Sequence, residues 1–343
     1  SPQPTDQDGV AYRNALVANP AGFNPKAFSP LTSVHPAAAE VTRVYIGDVY
    51  GRLWKFLAAQ PNVAIPVADL GVDQPVGTAV SLLGLPPQPD SPLAYVYVTS
   101  GADRRRDGPF RVFGFWDKGD DTTTATGGTS TTCVDSAAPC ETGVTAFSPS
   151  EMVFNRIFDQ GEPEASCGYT EEAVFRGTAQ PTTGFECGSI VTDPGSGTQQ
   201  CVDILGRVFF AGTRLSLPNT KYAPPTPLAC GAGQYPCRSQ FDSIIYALGA
   251  KTGNAAYDLN AAGDDAYRVF RDSRITAIQM QADPDPVSGG TTFVADEGQI
   301  KGAPAPPPPG VPPTANTSTA NVVMTREPGQ PPPAVRYGST VCQ

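Results

Sequence analysis

The segment Val44-Tyr45-Ile46-Gly47-Asp48-Val49-Tyr50-Gly51-Arg52-Leu53-Trp54-Lys55-Phe56 constrains the fold more than any other part of the chain. A β-branched and aromatic run, Val44 to Ile46, meets the turn formers Gly47, Asp48 and Gly51, and a second run then carries Leu53, Trp54 and Phe56. The pattern reads as two antiparallel strands joined by a tight turn. The design returns further along, and recurrence at a distance marks a repeat architecture rather than a lone hairpin.

The first unit runs from Val41 to about Leu70. The second begins near Val76; it holds a strand at Leu93–Val98, a loop at Thr99–Pro109, a strand at Phe110–Trp116 and a turn at Asp117–Asp121. The third pairs Gly206–Gly212 with Ser243–Leu248 across a long loop, Thr213–Gln240, and ends in the turn Gly249–Gly253. The fourth pairs Arg274–Met280 with Thr291–Asp296, while Met152–Phe158 and Asn321–Thr325 read as further strands. A propeller blade takes about 40–50 residues, and radial closure leaves few free edges. No long stretch carries helical periodicity. The fold class is therefore read as all-β: a modified β-propeller with long disulfide-bearing loop insertions. Residues 1–40 form a lead-in segment with a short helix around Ala11–Val17, and residues 41–343 form the propeller domain. Insertions fall near 122–146, read as lying outside the core, and 213–240, with a Pro-rich, polyproline-like loop at 303–319. Four to five units leave open whether the ring closes within this chain.

Composition fits this reading. The chain carries 35 glycines and 37 prolines, yet 40% of its residues are hydrophobic, so turns are many and apolar surface is not scarce. Only 16% are charged, against about 25% in an average globular protein. A net charge of −10 argues against a nucleic-acid surface. The one basic triplet, Arg104-Arg105-Arg106, reads as a solvated loop tip. No apolar run is long enough to span a membrane as a helix. Ser1–Thr5 has neither a basic nor an apolar leader region, so an export signal is expected to be removed or to lie upstream.

Eight cysteines point to structural disulfides and an oxidising compartment. Cys133 with Cys140, and Cys230 with Cys237, each enclose six residues and are the expected local pairs. Cys167, Cys187, Cys201 and Cys342 remain, with three pairings open among them. There is no C-x-x-C spacing and a single histidine, His35, so no zinc site can be drawn.

One histidine in a loop context also makes Ser-His-Asp and Cys-His catalysis a poor fit. The chain has no G-x-S-x-G, no Walker A and no G-x-G-x-x-G, and Gly249-Ala250-Lys251-Thr252 lacks the first glycine of a phosphate loop. Two acidic clusters remain: Asp117, Asp120 and Asp121 around Gly119, and Asp258, Asn260 and Asp264 near Gly263. Either is read as an ordinary acidic turn or as a calcium loop, because Ca²⁺ takes several oxygens from a tight, Gly-containing loop. The glutamate expected at the twelfth position of the second loop is replaced by Val269. Trp54 and Trp116 close their units and read as packing residues.

The stretch Tyr45, Gly47, Asp48, Gly51, Trp54 and Phe56 resembles the Y-x-G-D-x-x-G-x-x-W-x-F signature in the C-terminal domain of PilY-type, type IV pilus tip-associated proteins. Val96–Gly101 and Val112–Asp120 are similar to the second unit of that family. Ile245–Gly253 also resembles the blade ends of quinoprotein-like propellers. The resemblance is closest in residues 41–121, looser in 200–300, and does not extend to the insertions. It implies a modified propeller at the pilus tip or cell surface, exported through the periplasm, with no catalytic role. Implied functions are pilus assembly, control of retraction and adhesion. Implied partners are minor pilins and a host or abiotic surface, with calcium in some members. Two alternatives share the fold: a quinoprotein-like dehydrogenase using pyrroloquinoline quinone and Ca²⁺, and a periplasmic propeller scaffold.

Overall fold

The computed structural model describes residues 21–23, 41–84, 94–101, 108–119, 124–158, 165–166, 169–171, 174–192, 194–195, 197, 199–218, 241–256, 266–270, 275–281, 291–297 and 321–326. These residues form an all-β structure of antiparallel sheets, with no helix among them. The lead-in helix expected near Ala11–Val17 and the Pro-rich loop at 303–319 lie outside the described residues.

Four sheets follow one another along the chain. The first holds β1 (Ala21–Phe23), β2 (Arg43–Gly47), β3 (Arg52–Leu57) and β4 (Gln60–Asp69), extended by β9 (Thr145–Phe147) and β8 (Thr129–Ser130). The second is a meander of β5 (Ser81–Leu83), β6 (Ala94–Thr99), β7 (Arg111–Asp117) and β10 (Ser150–Ile157). In the third, β15 (Gln199–Pro218) pairs with β14 (Thr182–Thr192) and β16 (Phe241–Gly249), and β16 pairs with β17 (Tyr267–Phe270). Short strands β11 (Ala165–Ser166), β12 (Tyr169–Glu171) and β13 (Arg176–Gly177) join the same sheet through β15. The fourth sheet is β18 (Ile275–Gln281), β19 (Thr291–Glu297) and β20 (Asn321–Arg326).

The sheets pack face to face in chain order, and side-chain alternation explains how. Successive residues of a strand point to opposite faces. In β6, Ala94, Val96 and Val98 enter one apolar cluster with Tyr45, Leu53 and Val67 of the first sheet, while Tyr95 and Tyr97 enter another. That second cluster holds Val208 and Phe210 of β15 with Ile244, Tyr246 and Leu248 of β16. The opposite face of β15 and β16, Phe209, Ala211, Ile245 and Ala247, meets Ile275 and Ile278 of β18 in a third cluster. The second and third sheets are thus covered on both faces, which is why their strands read as nearly continuous apolar runs. Tyr97 also donates its hydroxyl to the Ala250 carbonyl at 2.8 Å, and Tyr246 donates to Ile157, tying these two sheets by polar contacts.

One strand of each sheet touches a strand of the next: β1 with β5, β5 with β14, and β14 with β18. Side chains lace them together. Ser81 donates to the Pro181 carbonyl, Thr183 to Leu82 and Thr182 to Ile278.

Two boundaries differ from the sequence expectation. The segment 122–146 is not wholly outside the core: Val144 and Ala146 are buried in the first cluster, because β9 pairs with the Ala68–Asp69 end of β4. The loop expected to begin at Thr213 begins later. Cross-strand pairing of Thr213 with Ser243 and Arg214 with Asp242 carries β15 to Pro218. There Arg214 and Asp242, of opposite charge, lie 3.6 Å apart with both side chains buried.

Candidate functional site

The signature hairpin forms the turn between β2 and β3, and each of its polar and glycine residues has an identifiable task. Asp48 is 7% exposed, and its carboxylate replaces water with three protein donors. Oδ1 accepts the backbone N–H of Tyr50 and of Arg52, each at 2.9 Å, and Oδ2 accepts the Trp54 indole N–H at 2.8 Å. A carboxylate that caps its own turn in this way holds the turn by local, charge-assisted bonds. Gly51 has φ +74°, and a Cβ there would run into the Gly71 carbonyl oxygen. A Cβ on Gly47 would strike the side chain of Val76, the residue whose N–H donates to the Asp48 carbonyl at 3.0 Å. The motif therefore binds the hairpin to the start of the second unit.

The register sorts the remaining signature positions by face. Tyr45 and Leu53 point into the first core, whereas Trp54 and Phe56 are half-buried on the other face, opposite Ile46 and Val44. Trp116 behaves differently. It stacks on Tyr95 with ring centroids 5.6 Å apart and nearly parallel planes, with the Lys118 ammonium 4.4 Å from its ring.

At the opposite end of these strands, a charged joint links the first sheet to the second. Asp117, the last residue of β7, is fully buried. Its Oδ2 accepts the Tyr45 hydroxyl at 2.6 Å and the Lys55 ammonium at 2.8 Å, and its Oδ1 accepts the Gly119 N–H at 2.9 Å. Arg43, also buried, donates to the Gly119 carbonyl at 2.7 Å. Burial, and then the neighbouring Asp117 carboxylate, push the Tyr45 hydroxyl well above its ordinary pKa. A Cβ on Gly119 would lie 2.9 Å from the Lys55 ammonium nitrogen, so glycine lets that charge approach the loop.

This geometry bears on the calcium candidates. Both Asp117 oxygens are occupied by protein donors, one of them a cation. Asp120, Asp121, Asp258, Asn260 and Asp264 lie outside the described residues. Among the described residues, no three His, Cys, Asp or Glu side chains form a metal-sized group.

Of the cysteines, Cys133 and Cys140 are joined in a disulfide. Cys167, Cys230, Cys237 and Cys342 lie outside the described residues. Cys187 stands in β14 opposite Ile204, and Cys201 in β15 opposite Ile190, so the two are not directly paired in the register of that hairpin. The turn residues Gly249–Asn254 close β16: Asn254 accepts the Gly249 N–H, and Ala250 donates to Gly206 of the neighbouring strand.

Reading the sequence singled out Asp48, and Asp117 beside Gly119, but not Lys55 and Arg43 as members of the Asp117 joint. The signal for Lys55 was a charge at an inward position of β3, between Leu53 and Leu57. Compared with known proteins, the chain matches no family model and no curated protein sequence. Chemically, the charged joint fixes the relative position of two sheets; with its members buried, it presents no reactive group to solvent.

Proposed function

We propose that this chain is a non-catalytic, propeller-type surface protein of type IV pili that resembles the C-terminal domain of PilY-type tip proteins. Its roles are pilus assembly, retraction control and adhesion. The observation that carries the reading is the hairpin: the Asp48, Gly51 and Trp54 of the signature act together as one self-capped turn. A motif whose members depend on one another in this way is a weaker candidate for coincidence than the same letters scattered on a surface.

Three further features support the propeller form. The sheets are antiparallel and stack in chain order, and one strand of each (β1, β5, β14, β18) adjoins the next as the inner strands of blades do. The outer face of the first sheet, with Val44, Ile46, Trp54 and Phe56 half-buried, offers the surface against which a ring-closing sheet packs. The Cys133–Cys140 disulfide suits export through an oxidising periplasm to the cell surface. Function on this scaffold lies in loops at the ends of the sheets, where minor pilins or a host or abiotic surface are contacted. The acidic residues that follow Gly119 and Ala256 in the sequence are the calcium candidates.

The test is retention of the purified chain on sheared pili and on isolated minor pilins, with and without EGTA. Specific retention is expected, and its loss in EGTA assigns calcium to binding. No retention on either material, or robust turnover of an alcohol when pyrroloquinoline quinone and Ca²⁺ are added, removes the proposal.

A further inference from the structure

The resemblance to PilY-type proteins brings calcium with it in some members, and the turn after β7, with Asp117, Asp120 and Asp121, is one of the two sequence candidates. Ca²⁺ takes about six to eight oxygens, carboxylates and backbone carbonyls among them. At the described end of this turn such oxygens are engaged by protein donors. Asp117 Oδ2 accepts the Lys55 ammonium at 2.8 Å and the Tyr45 hydroxyl at 2.6 Å, and Oδ1 accepts the Gly119 N–H at 2.9 Å. The Gly119 carbonyl accepts the Arg43 guanidinium at 2.7 Å. Two of these donors, Lys55 and Arg43, are cations, and both side chains are buried. The turn is shaped around the ammonium. Lys55 takes an inward position of β3 between the buried Leu53 and Leu57. A Cβ on Gly119 would lie 2.9 Å from Lys55 Nζ, 3.0 Å from Asp117 Oδ1 and 2.9 Å from Pro149 Cγ, so only glycine leaves the ammonium its place.

We infer that Lys55 is the resident cation of this turn, and that Asp117 and the Gly119 carbonyl are thereby withdrawn from calcium. This part of the calcium expectation does not fit the residues present. A calcium ion at Asp117 would have to displace an ammonium tethered to the neighbouring sheet and leave it buried with no counter-charge, which is the costly way to break such a pair. It would then sit beside the Arg43 guanidinium, and like charges repel strongly where water is excluded. The chain assembles this end of the turn from its own cations, and any calcium it holds rests on ligands other than Asp117. An EGTA effect on pilus binding is accordingly traced to those other ligands. Pili take no part in the test of Lys55, so the pilus reading and this inference fail separately.

Lysine acetylation of the native full chain by acetic anhydride, read by peptide mass spectrometry, tests this in millimolar CaCl2 and in EGTA. The exposed Lys251 is the reference. Lys55 reacts only through local opening, so it should be acetylated roughly tenfold or more slowly than Lys251, at the same rate in both buffers. Lys55 that matches Lys251 in either buffer overturns the inference: in Ca²⁺ because the metal has displaced it, in EGTA because the turn needs the metal to form. Calorimetric titration of CaCl2 into the native chain and into Asp117→Asn adds a second reading. No binding by the native chain, or equal affinity in the two proteins, supports the inference; binding that is lost in a folded Asp117→Asn overturns it. If that variant does not fold, the acetylation of the native chain decides alone.

Discussion

Lys55 of the first sheet and Asp117 of the second meet at 2.8 Å with both side chains out of water. Removing charges from water is costly, and mutual attraction repays the cost only where further hydrogen bonds complete the pair. Here Tyr45 and Gly119 supply those bonds. Asp117→Ala should therefore destabilise the protein by about 3–5 kcal/mol, because it leaves Lys55 buried and uncompensated. The double replacement Lys55→Met, Asp117→Leu should be far milder than the single one. Urea unfolding of the two variants checks this; equal losses in the single and double variants would show that the pair itself is not what matters.

Asp48 has a different kind of task. Its three hydrogen bonds are local, and bonds to a charged acceptor are each worth about 1.5–3 kcal/mol. Asp48→Ala should cost more than Trp54→Phe, which removes only the indole donor and leaves the backbone cap intact. Thermal unfolding of both variants gives the order. A larger loss for Trp54→Phe would mean that the ring's packing outweighs the cap.

Glycines with the same sign of φ should differ sharply in tolerance. Gly51→Ala combines φ +74° with a collision against the Gly71 carbonyl oxygen. Gly143→Ala has φ +89° and nothing within 4 Å of the added carbon. Left-handed backbone alone costs about 1–2 kcal/mol, which is the expected loss at Gly143. Gly51→Ala should exceed it clearly or prevent folding. Comparable denaturation midpoints for the two variants would refute the role given to Gly51 in holding the hairpin to the Gly71 turn.

Stability should also fall in alkali. Burial raises the hydroxyl pKa of both Tyr45 and Tyr97 well above the ordinary value. The folded state then holds its protons where the unfolded chain has released them. This contribution is fully present below the unfolded pKa of about 10 and is lost as pH rises from there toward the folded value. Each tyrosine contributes up to about 1.4 kcal/mol per pH unit in that window. Urea midpoints between pH 8 and 12, with tyrosinate absorbance followed in parallel, should show the decline. Tyr97→Phe should flatten it, and a variant that declines as steeply as the native chain would exclude Tyr97 as a source.

The amino-acid order alone determined the strands and the turn. Val44–Ile46 and Leu53–Phe56 appear as β2 and β3, Phe110–Trp116 as β7, and Ser243–Leu248 as β16, because β-branched and aromatic runs between turn residues specify strands locally. It also determined the local disulfide, since Cys133 and Cys140 lie close enough along the chain to find one another. Tertiary structure decided what had no local signal. The strand Thr182–Thr192 escaped notice because its glycines and polar residues only make sense against β15. Asp117 reads in sequence as one of three clustered acids, yet in the fold it serves a lysine from another sheet, 62 positions away. No spacing rule connects those two residues. Only the face-to-face stacking of the first two sheets brings them within reach, and the low-dielectric space between the sheets then strengthens their attraction.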